Sequence, residues 1–407
     1  MILEGVGCPE FNFPRAVWYK CDVNNGKLNS GHPTPANLIV TQSRDQQRRE
    51  GPDGEAVCAV VVTCHPQADV LDELLTSVAP QVGRVLVVDN GSPPETLHRL
   101  HERRSDERIE WLEIGDNVGV GAAHNIGIEW ASRRGFSFVL LLDHDSIPSP
   151  DMVERLLAGY REASRRDRVA AVGAAYLDPR TGKFGPFIRF GTFWNRHVPS
   201  RTDCQSVVGV PTLVGQFCVH GHSPHSGPTK VGTPTVRTDF LITSGTLIPL
   251  SVLDAVGGMD DGLFVDYVDT EWSLRAASLG YRLYGVPDAV MRHTIGDRVR
   301  RRFGIRIHAY SPQRLYYNIR NRFLLSRKPH APPGAIVRDV LQAVRLFLIY
   351  GLLIGPRWDN LRMLCRGLRD ARASRVGRYD VAGRPDEWQA MLVRAEVAGK
   401  ESPRKAA

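Results

Sequence analysis

Between residues 56 and 142 the chain alternates between short, continuous apolar runs and longer stretches with helical periodicity. Residues 56–63 are apolar without interruption and rich in valine, the pattern of a strand buried on both faces. A helix is expected over 70–78, stopped by Pro80, and a second strand over 84–89, closed by Asn90-Gly91-Ser92-Pro93-Pro94. A helix near 95–103, a strand at 109–112, a helix at 121–134 and a strand at 136–142 follow, the last running into Asp143-His144-Asp145. Strands alternating with helices imply right-handed crossovers and a parallel sheet with helices on both faces. Such sheets bind ligands beyond the carboxyl ends of their strands. Thr63, Asp89, Asn90, Asp143 and Asp145 all fall at those ends, so topology places the site before any chemistry is invoked.

Outside this core the pattern changes. Residues 1–54 lack periodicity and are expected to be a poorly ordered extension. Residues 55–328 are expected to form one α/β domain that holds the site, interrupted by a Gly-, Pro-, Ser-, Thr- and His-rich insertion at 195–235. The pattern resumes at 239–245 and continues through a helix that starts near Asp269 and ends at Gly280. Residues 329–407 read as a basic, amphipathic helical region. A hydrophobic fraction of 42% with 24% charged residues excludes a disordered chain. The net charge of +8 suits an anionic partner such as a nucleotide diphosphate or a phospholipid surface. No nucleic-acid recognition module is present, so nucleic acid is not an expected partner. Seven scattered cysteines without framework spacing favour a reducing, cytoplasmic compartment, and no signal peptide is expected. The longest uncharged apolar run, 346–356, is about half of the ~20 residues that cross a bilayer.

Three clusters carry chemistry. Asp143 and Asp145, two residues apart where a strand gives way to a turn, reach one small volume. Mg²⁺ or Mn²⁺ wants few protein oxygens and several from a diphosphate, which this pair supplies. The structural alternative is a turn-capping cluster. Asp266, Asp269 and Glu271 lie within six residues, flanked by Phe264 and Trp272. An N-cap accounts for Asp269 alone. Three acids beside aromatics are surroundings that ready a carboxylate as a general base. His293, in Met291-Arg292-His293-Thr294-Ile295-Gly296-Asp297, offers an imidazole ligand; a satisfied structural histidine is its alternative. Cys218, His220, His222 and His225 have zinc-like composition but sit among flexible residues. The glycines of 115–125 lack dinucleotide-loop spacing, although they and Asn117 would let the backbone approach a nucleotide.

Taken in order, Val-Val-Val-Thr63, Val-Val-Asp89-Asn-Gly-Ser, Asp-Asn117-Val-Gly, Leu-Leu-Leu-Asp143-His-Asp145-Ser, Asp-Tyr-Val-Asp269-Thr-Glu-Trp and Arg-His293-Thr-Ile-Gly-Asp resemble family 2 glycosyltransferases. Within these they are most similar to bacterial rhamnosyltransferases that use dTDP-L-rhamnose. The similarity covers residues 56–328. It implies the GT-A fold, a metal-dependent inverting mechanism, a nucleotide-sugar donor and a lipid-linked or polysaccharide acceptor. By the resemblance, Thr63, Asp89 and Asn117 contact the nucleoside and Asp143 the ribose. Asp145 and His293 bind the metal, and Asp269 is the base. Asp266, Glu271 and Trp272 support the acceptor side, and Arg320 with Asn321 approaches the diphosphate. Cys64-His65 departs from the more usual Tyr-Asn, which leaves nucleoside stacking open. Other readings are a hexosyltransferase using a UDP-sugar such as UDP-galactofuranose, a nucleotidyltransferase, and a non-catalytic scaffold at the membrane. Nucleotidyl transfer requires no downstream base, and the presence of every expected carboxylate argues against a scaffold.

The tail adds a partner. Leu361, Leu364 and Leu368 recur at helical spacing among arginines, and such a helix suits the anionic inner face of a cell membrane. The alternative is packing on the catalytic domain with a solvated arginine face.

Overall fold

The computed structural model describes residues 17–18, 56–102, 106–190, 196–200, 233–294, 298–302 and 305–379. Nearly all of the N-terminal extension, most of the insertion with its Cys218, His220, His222 and His225, and the end of the tail lie outside the described residues.

The expected alternation is present as β1 (Val57–Thr63), α1 (Ala68–Val78), β2 (Arg84–Asp89), α2 (Pro94–Glu102), β3 (Ile109–Glu113), α3 (Val120–Arg133) and β4 (Phe138–Asp143). In the sheet these strands lie in the order β3-β2-β1-β4, all parallel. The winding reverses between β1 and β4, and that switch point is where a doubly wound sheet opens a ligand crevice. The chain goes on through α4 (Met152–Ser164), β5 (Val169–Asp178), β6 (Thr246–Pro249), α5 (Leu250–Val256), α6 (Val268–Ser278) and β7 (Arg282–Arg292). β6 inserts between β4 and β5, antiparallel to both, whereas β7 runs parallel to β5. The sheet is therefore mostly parallel with a reversed strand at its centre.

Side-chain alternation explains why β1 reads as one apolar run. Cys58, Val60 and Val62 face a core shared with α3, α5 and α6, while Val57, Ala59 and Val61 face one shared with α1 and α4. Both faces are covered, so neither admits polar residues.

The C-terminal helices are α7 (Pro312–Leu325), α8 (Ala335–Leu348) and α9 (Arg357–Arg372). Ser311 caps α7 by accepting from the Arg314 N–H at 3.3 Å, and Pro312 starts it. Leu315 and Ile319 of α7 pack with Ala343, Leu346, Tyr350 and Leu364. The boundary expected at 328/329 thus runs through a packed helical unit that begins with α7. On α9, Leu364 is buried and Leu361 and Leu368 are half-buried, so its leucines face inward and its arginines outward.

Gly367 marks the closest approach of α7 and α9. A Cβ there would lie 2.2 Å from Ile319 Cγ2 and 2.7 Å from the Tyr316 carbonyl oxygen. In a free helix alanine would be favoured over glycine by about 1 kcal/mol. Here overpacking outweighs propensity, and Gly367→Ala is expected to cost ~1–3 kcal/mol. Thermal unfolding checks the sign: a melting temperature raised by the substitution would mean that the two helices do not meet there.

Candidate active site

The carboxyl end of β4 and the residues just after β7 meet at the switch-point edge. Asp143, Asp145 and His293 each present a ligand atom, and these lie within 4.8 Å of one another. His293 Nδ1 is 3.1 Å from Asp145 Oδ1, and Nε2 is 3.9 Å from Asp143 Oδ2. The two carboxylates are half-buried and the imidazole is buried. Ser146 Oγ sits 2.8 Å from His293 Nδ1 and 2.6 Å from Ser244 Oγ, which accepts from the Asp143 N–H at 3.0 Å. Burial alone would lower the His293 pKa. The hydrogen bond to Asp145 and the charges of Asp143, Asp145 and Asp178 outweigh it, so the pKa is raised. For Asp145, burial opposes ionisation, but His293 and His144 pull its pKa below the ordinary carboxylate value. Two carboxylates and an imidazole drawn into one volume match the donor set of a hard to borderline divalent cation, so the residues fit a metal. Sequence reasoning did not single out Ser146 or Ser244, although the first lies inside a quoted motif and the second inside the run 239–245 where the strand pattern resumes.

Asp269 stands in the first turn of α6, half-buried. Burial pushes its carboxyl up to about 7. The charges of Asp266 and Asp143 add to the rise, and hydrogen bonds from the Thr270 N–H and Oγ1 hold it back. The influence of Asp143 ties Asp269 electrostatically to the cluster at the end of β4. A carboxyl titrating near neutrality is suited to taking up a proton.

The loop leading into α6 is strained. Phe264, Asp266 and Tyr267 all have positive φ, at 64°, 58° and 68°, although none is glycine. Phe264 forms a tight γ-turn in which the Val265 N–H donates to the Leu263 carbonyl at 2.8 Å. The Val120 N–H donates to the Phe264 carbonyl, and Gly119 takes φ +93° directly against the Phe264 ring, where a Cβ would lie 2.7 Å from Cδ2. This close approach explains the glycine of the 115–125 loop.

Arg320 and Asn321, expected at the diphosphate, instead hold this loop. Asn321 Nδ2 donates to the carbonyls of Leu263, Val265 and Asp266 at 2.8, 2.6 and 2.9 Å. Arg320 donates to the carbonyls of Leu263 and Gly377 and to Asn321 Oδ1. Both side chains are buried. Asp266 is occupied by Arg314 at 3.1 Å. Glu271 is 1% exposed and forms ion pairs with Arg275 and Lys328, and Trp272 is buried with Nε1 donating to the Gly257 carbonyl. Of the three acids Asp266, Asp269 and Glu271, Asp269 is the one with no ion-pairing cation among the described residues. Asn321→Ala would strip a donor from three carbonyls and is expected to cost ~2 kcal/mol or more. If the loop positions Asp269, kcat should fall further than donor affinity, and an unchanged kcat would argue against that role.

At the carboxyl ends of β1 and β2, Thr63 and Asp89 are 0% exposed and bonded to each other at 2.8 Å. Asp89 also accepts from Ser92 Oγ and from the N–H groups of Ser92 and Gly91. Expected to contact the nucleoside, these two side chains are instead turned to each other and the backbone, whereas Asn117 is half-buried and bonded to Asn90 and Cys64. Arg378, beyond α9, reaches Asp116 at 2.8 Å and the Asn117 carbonyl at 3.5 Å, which adds a cation beside Asn117. No motif announced it.

Fold and site together show an α/β core with a carboxylate–imidazole cluster at a strand end and a carboxyl near neutrality that feels its charge. Residues 59–215 match the family described as Glycosyl transferase family 2. The dTDP-rhamnosyl transferase RfbF of Shigella flexneri is 30% identical over 286 residues, 70% of this chain and 84% of that protein. The N-acetylglucosaminyl-diphospho-decaprenol L-rhamnosyltransferase of Mycobacterium tuberculosis is 26% identical over 253 residues, 58% of this chain and 76% of that one. The polyprenol monophosphomannose synthase of Mycolicibacterium smegmatis is 32% identical over 125 residues, 30% of this chain and 43% of that one. The chain belongs to glycosyltransferase family 2. It is a glycosyltransferase of the GT-A fold.

Proposed function

We propose that this glycosyltransferase transfers L-rhamnose from dTDP-L-rhamnose, with inversion, to a hydroxyl of a lipid-linked or polysaccharide acceptor at a membrane surface. What supports the chemistry is the cluster of Asp143, Asp145 and His293 at the end of β4, together with the Asp269 carboxyl, whose pKa of about 7 is raised in part by the charge of Asp143. The donor is supported by the names of the relatives in Shigella flexneri and Mycobacterium tuberculosis.

Asp269 takes the proton of the acceptor hydroxyl as that oxygen attacks the anomeric carbon. The bond from that carbon to the diphosphate oxygen breaks on the opposite face, and dTDP leaves with the electron pair. Asp145 and His293, with Asp143 beside them, are the residues that would hold Mg²⁺ or Mn²⁺. When bound, the cation offsets charge developing on the leaving diphosphate. Asn117 contacts the nucleoside, and the buried Thr63–Asp89 pair fixes the strand ends beside it. Arg320 and Asn321 hold the loop that presents the base.

Thermal-shift titration of the full chain with Mn²⁺ and dTDP-rhamnose, UDP-galactofuranose and UDP-glucose tests the donor. Stabilisation by dTDP-rhamnose above the UDP-sugars is expected, and a larger shift with UDP-galactofuranose would transfer the assignment to that donor.

A further inference from the structure

We infer that the outward face of α8, continued by Trp358 at the start of α9, docks into the headgroup–acyl boundary of an anionic lipid bilayer. This deepens the membrane-surface reading above and rests on it for its biological purpose, while its test reads binding without turnover.

Among the described residues, every exposed large apolar side chain except Leu279 and Val376 lies between residues 336 and 358. Val337, Leu341, Val344 and Leu348 recur at helical spacing and are 60%, 65%, 53% and 56% exposed. Ile336 and Val340 widen the stripe, Leu352 extends it, and Trp358 at 85% exposure ends it. The opposite side of α8 is already satisfied, with Ala335, Ala343 and Leu346 buried and Asp339 paired to Arg322 at 3.0 Å. The outer stripe is therefore not needed to hold the helix in place. Exposed apolar side chains gathered on one helix face, rather than scattered singly, mark an interaction site.

Charge selects the occupant. Seven arginines lie between residues 336 and 372, against three aspartates. Asp339 and Asp370 are buried in ion pairs, which leaves Asp359 as the exposed acid. Arg338 and Arg345 flank the stripe one heptad apart. A second copy of the chain stacked on this face would set those arginines near one another, which is repulsive, whereas anionic headgroups pair with them. No described helix is long and apolar enough to cross a membrane, so α8 would lie in the interfacial plane. There its aliphatic side chains enter the acyl boundary, the arginines reach the headgroups and Trp358 takes the interfacial position that tryptophan favours. α8 thus supplies the apolar contact, and α9, whose leucines face inward, supplies cations.

The test is co-sedimentation of the full chain with vesicles of phosphatidylcholine alone or with about a third phosphatidylglycerol. Binding to the anionic vesicles is expected. The Leu341→Asp, Val344→Asp double variant, altered only at exposed positions, should bind them at least tenfold more weakly with an unchanged circular dichroism spectrum. Trp358→Phe should lose the blue-shifted fluorescence that vesicles induce in the parent. Equal binding by parent and double variant, or no binding by the parent, overturns the inference. So does a concentration-dependent dimer that the double variant converts to monomer, since a second copy would then be the occupant. Sugar transfer to a soluble acceptor, measured in parallel, separates the two readings: retained transfer without vesicle binding removes the docking face alone, and vesicle binding without transfer removes the enzymatic reading alone.

Discussion

Asp269→Asn is expected to lower the transfer rate by roughly 10²- to 10⁴-fold, the contribution of a positioned base, while donor affinity stays within a few-fold of the parent. The substitution keeps shape and removes the proton acceptor. It should also change stability in the opposite direction. The folded-state pKa of Asp269 lies near 7, above its ordinary value, so the folded protein holds this proton more tightly than the unfolded chain. The stability this group contributes is complete below the ordinary carboxylate pKa and is lost as pH rises through 7. At pH 8 the parent carries a half-buried, ionised carboxylate, and the neutral amide should be more stable by on the order of 2–4 kcal/mol. Near pH 4 the two should melt together. Thermal unfolding at both values, alongside single-turnover rates, checks the pair of effects. Substantial turnover by the variant would remove Asp269 as the base. A melting difference independent of pH would mean that its carboxyl is not destabilised by its surroundings.

Such a group is expected where a chain gives up stability for chemistry, and the surrounding loop shows the same exchange. Positive φ at Phe264, Asp266 and Tyr267 survives because Arg320 and Asn321 bind the loop carbonyls from below. None of this was legible in the sequence, since left-handed backbone at non-glycine residues has no compositional signature. Arg320 and Asn321 were picked out, but the pattern could not distinguish a side chain aimed at phosphate from one aimed at carbonyls. By contrast, β1, β2 and β4 were legible to within about two residues, because strands covered on both faces must be continuously apolar. β3, with Glu110 and Glu113 and only Leu112 buried, was legible from its place between two helices. The direction of β6 was not, as a four-residue apolar run carries no sense of parallel or antiparallel pairing. Glu271 was readable in principle: Arg275 stands four residues on, and that spacing marks a helical ion pair. In the tail, amphipathic α9 was visible, but which face met α7 depended on Gly367, whose role emerges only when two helices cross.

Asp145→Ala should weaken Mn²⁺-dependent donor binding by more than the roughly 10- to 100-fold that losing an outer-shell partner costs. Ser146→Ala, which removes only the hydroxyl beside His293 Nδ1, should fall inside that range. Neither change should affect the weak binding of dTDP measured with a chelator present, because the proposed nucleoside contact at Asn117 and the Thr63–Asp89 pair are untouched. The cluster also predicts competition between metal and proton. Asp145 and Asp143 together raise the His293 pKa despite burial, so without a cation the imidazole is drawn towards its charged form. A metal ligand must shed that proton, and Mn²⁺ affinity should therefore rise with pH until His293 is neutral and then level off. Removing Asp145 takes away the largest force raising that pKa, so the residual binding of the variant should level off at lower pH than in the parent. Calorimetric titration in two buffers of different ionisation enthalpy would register the released proton. Equal Mn²⁺ affinity in parent and Asp145→Ala, or an affinity flat with pH in both, would place the cation elsewhere and leave the carboxylate–imidazole cluster as a structural pairing.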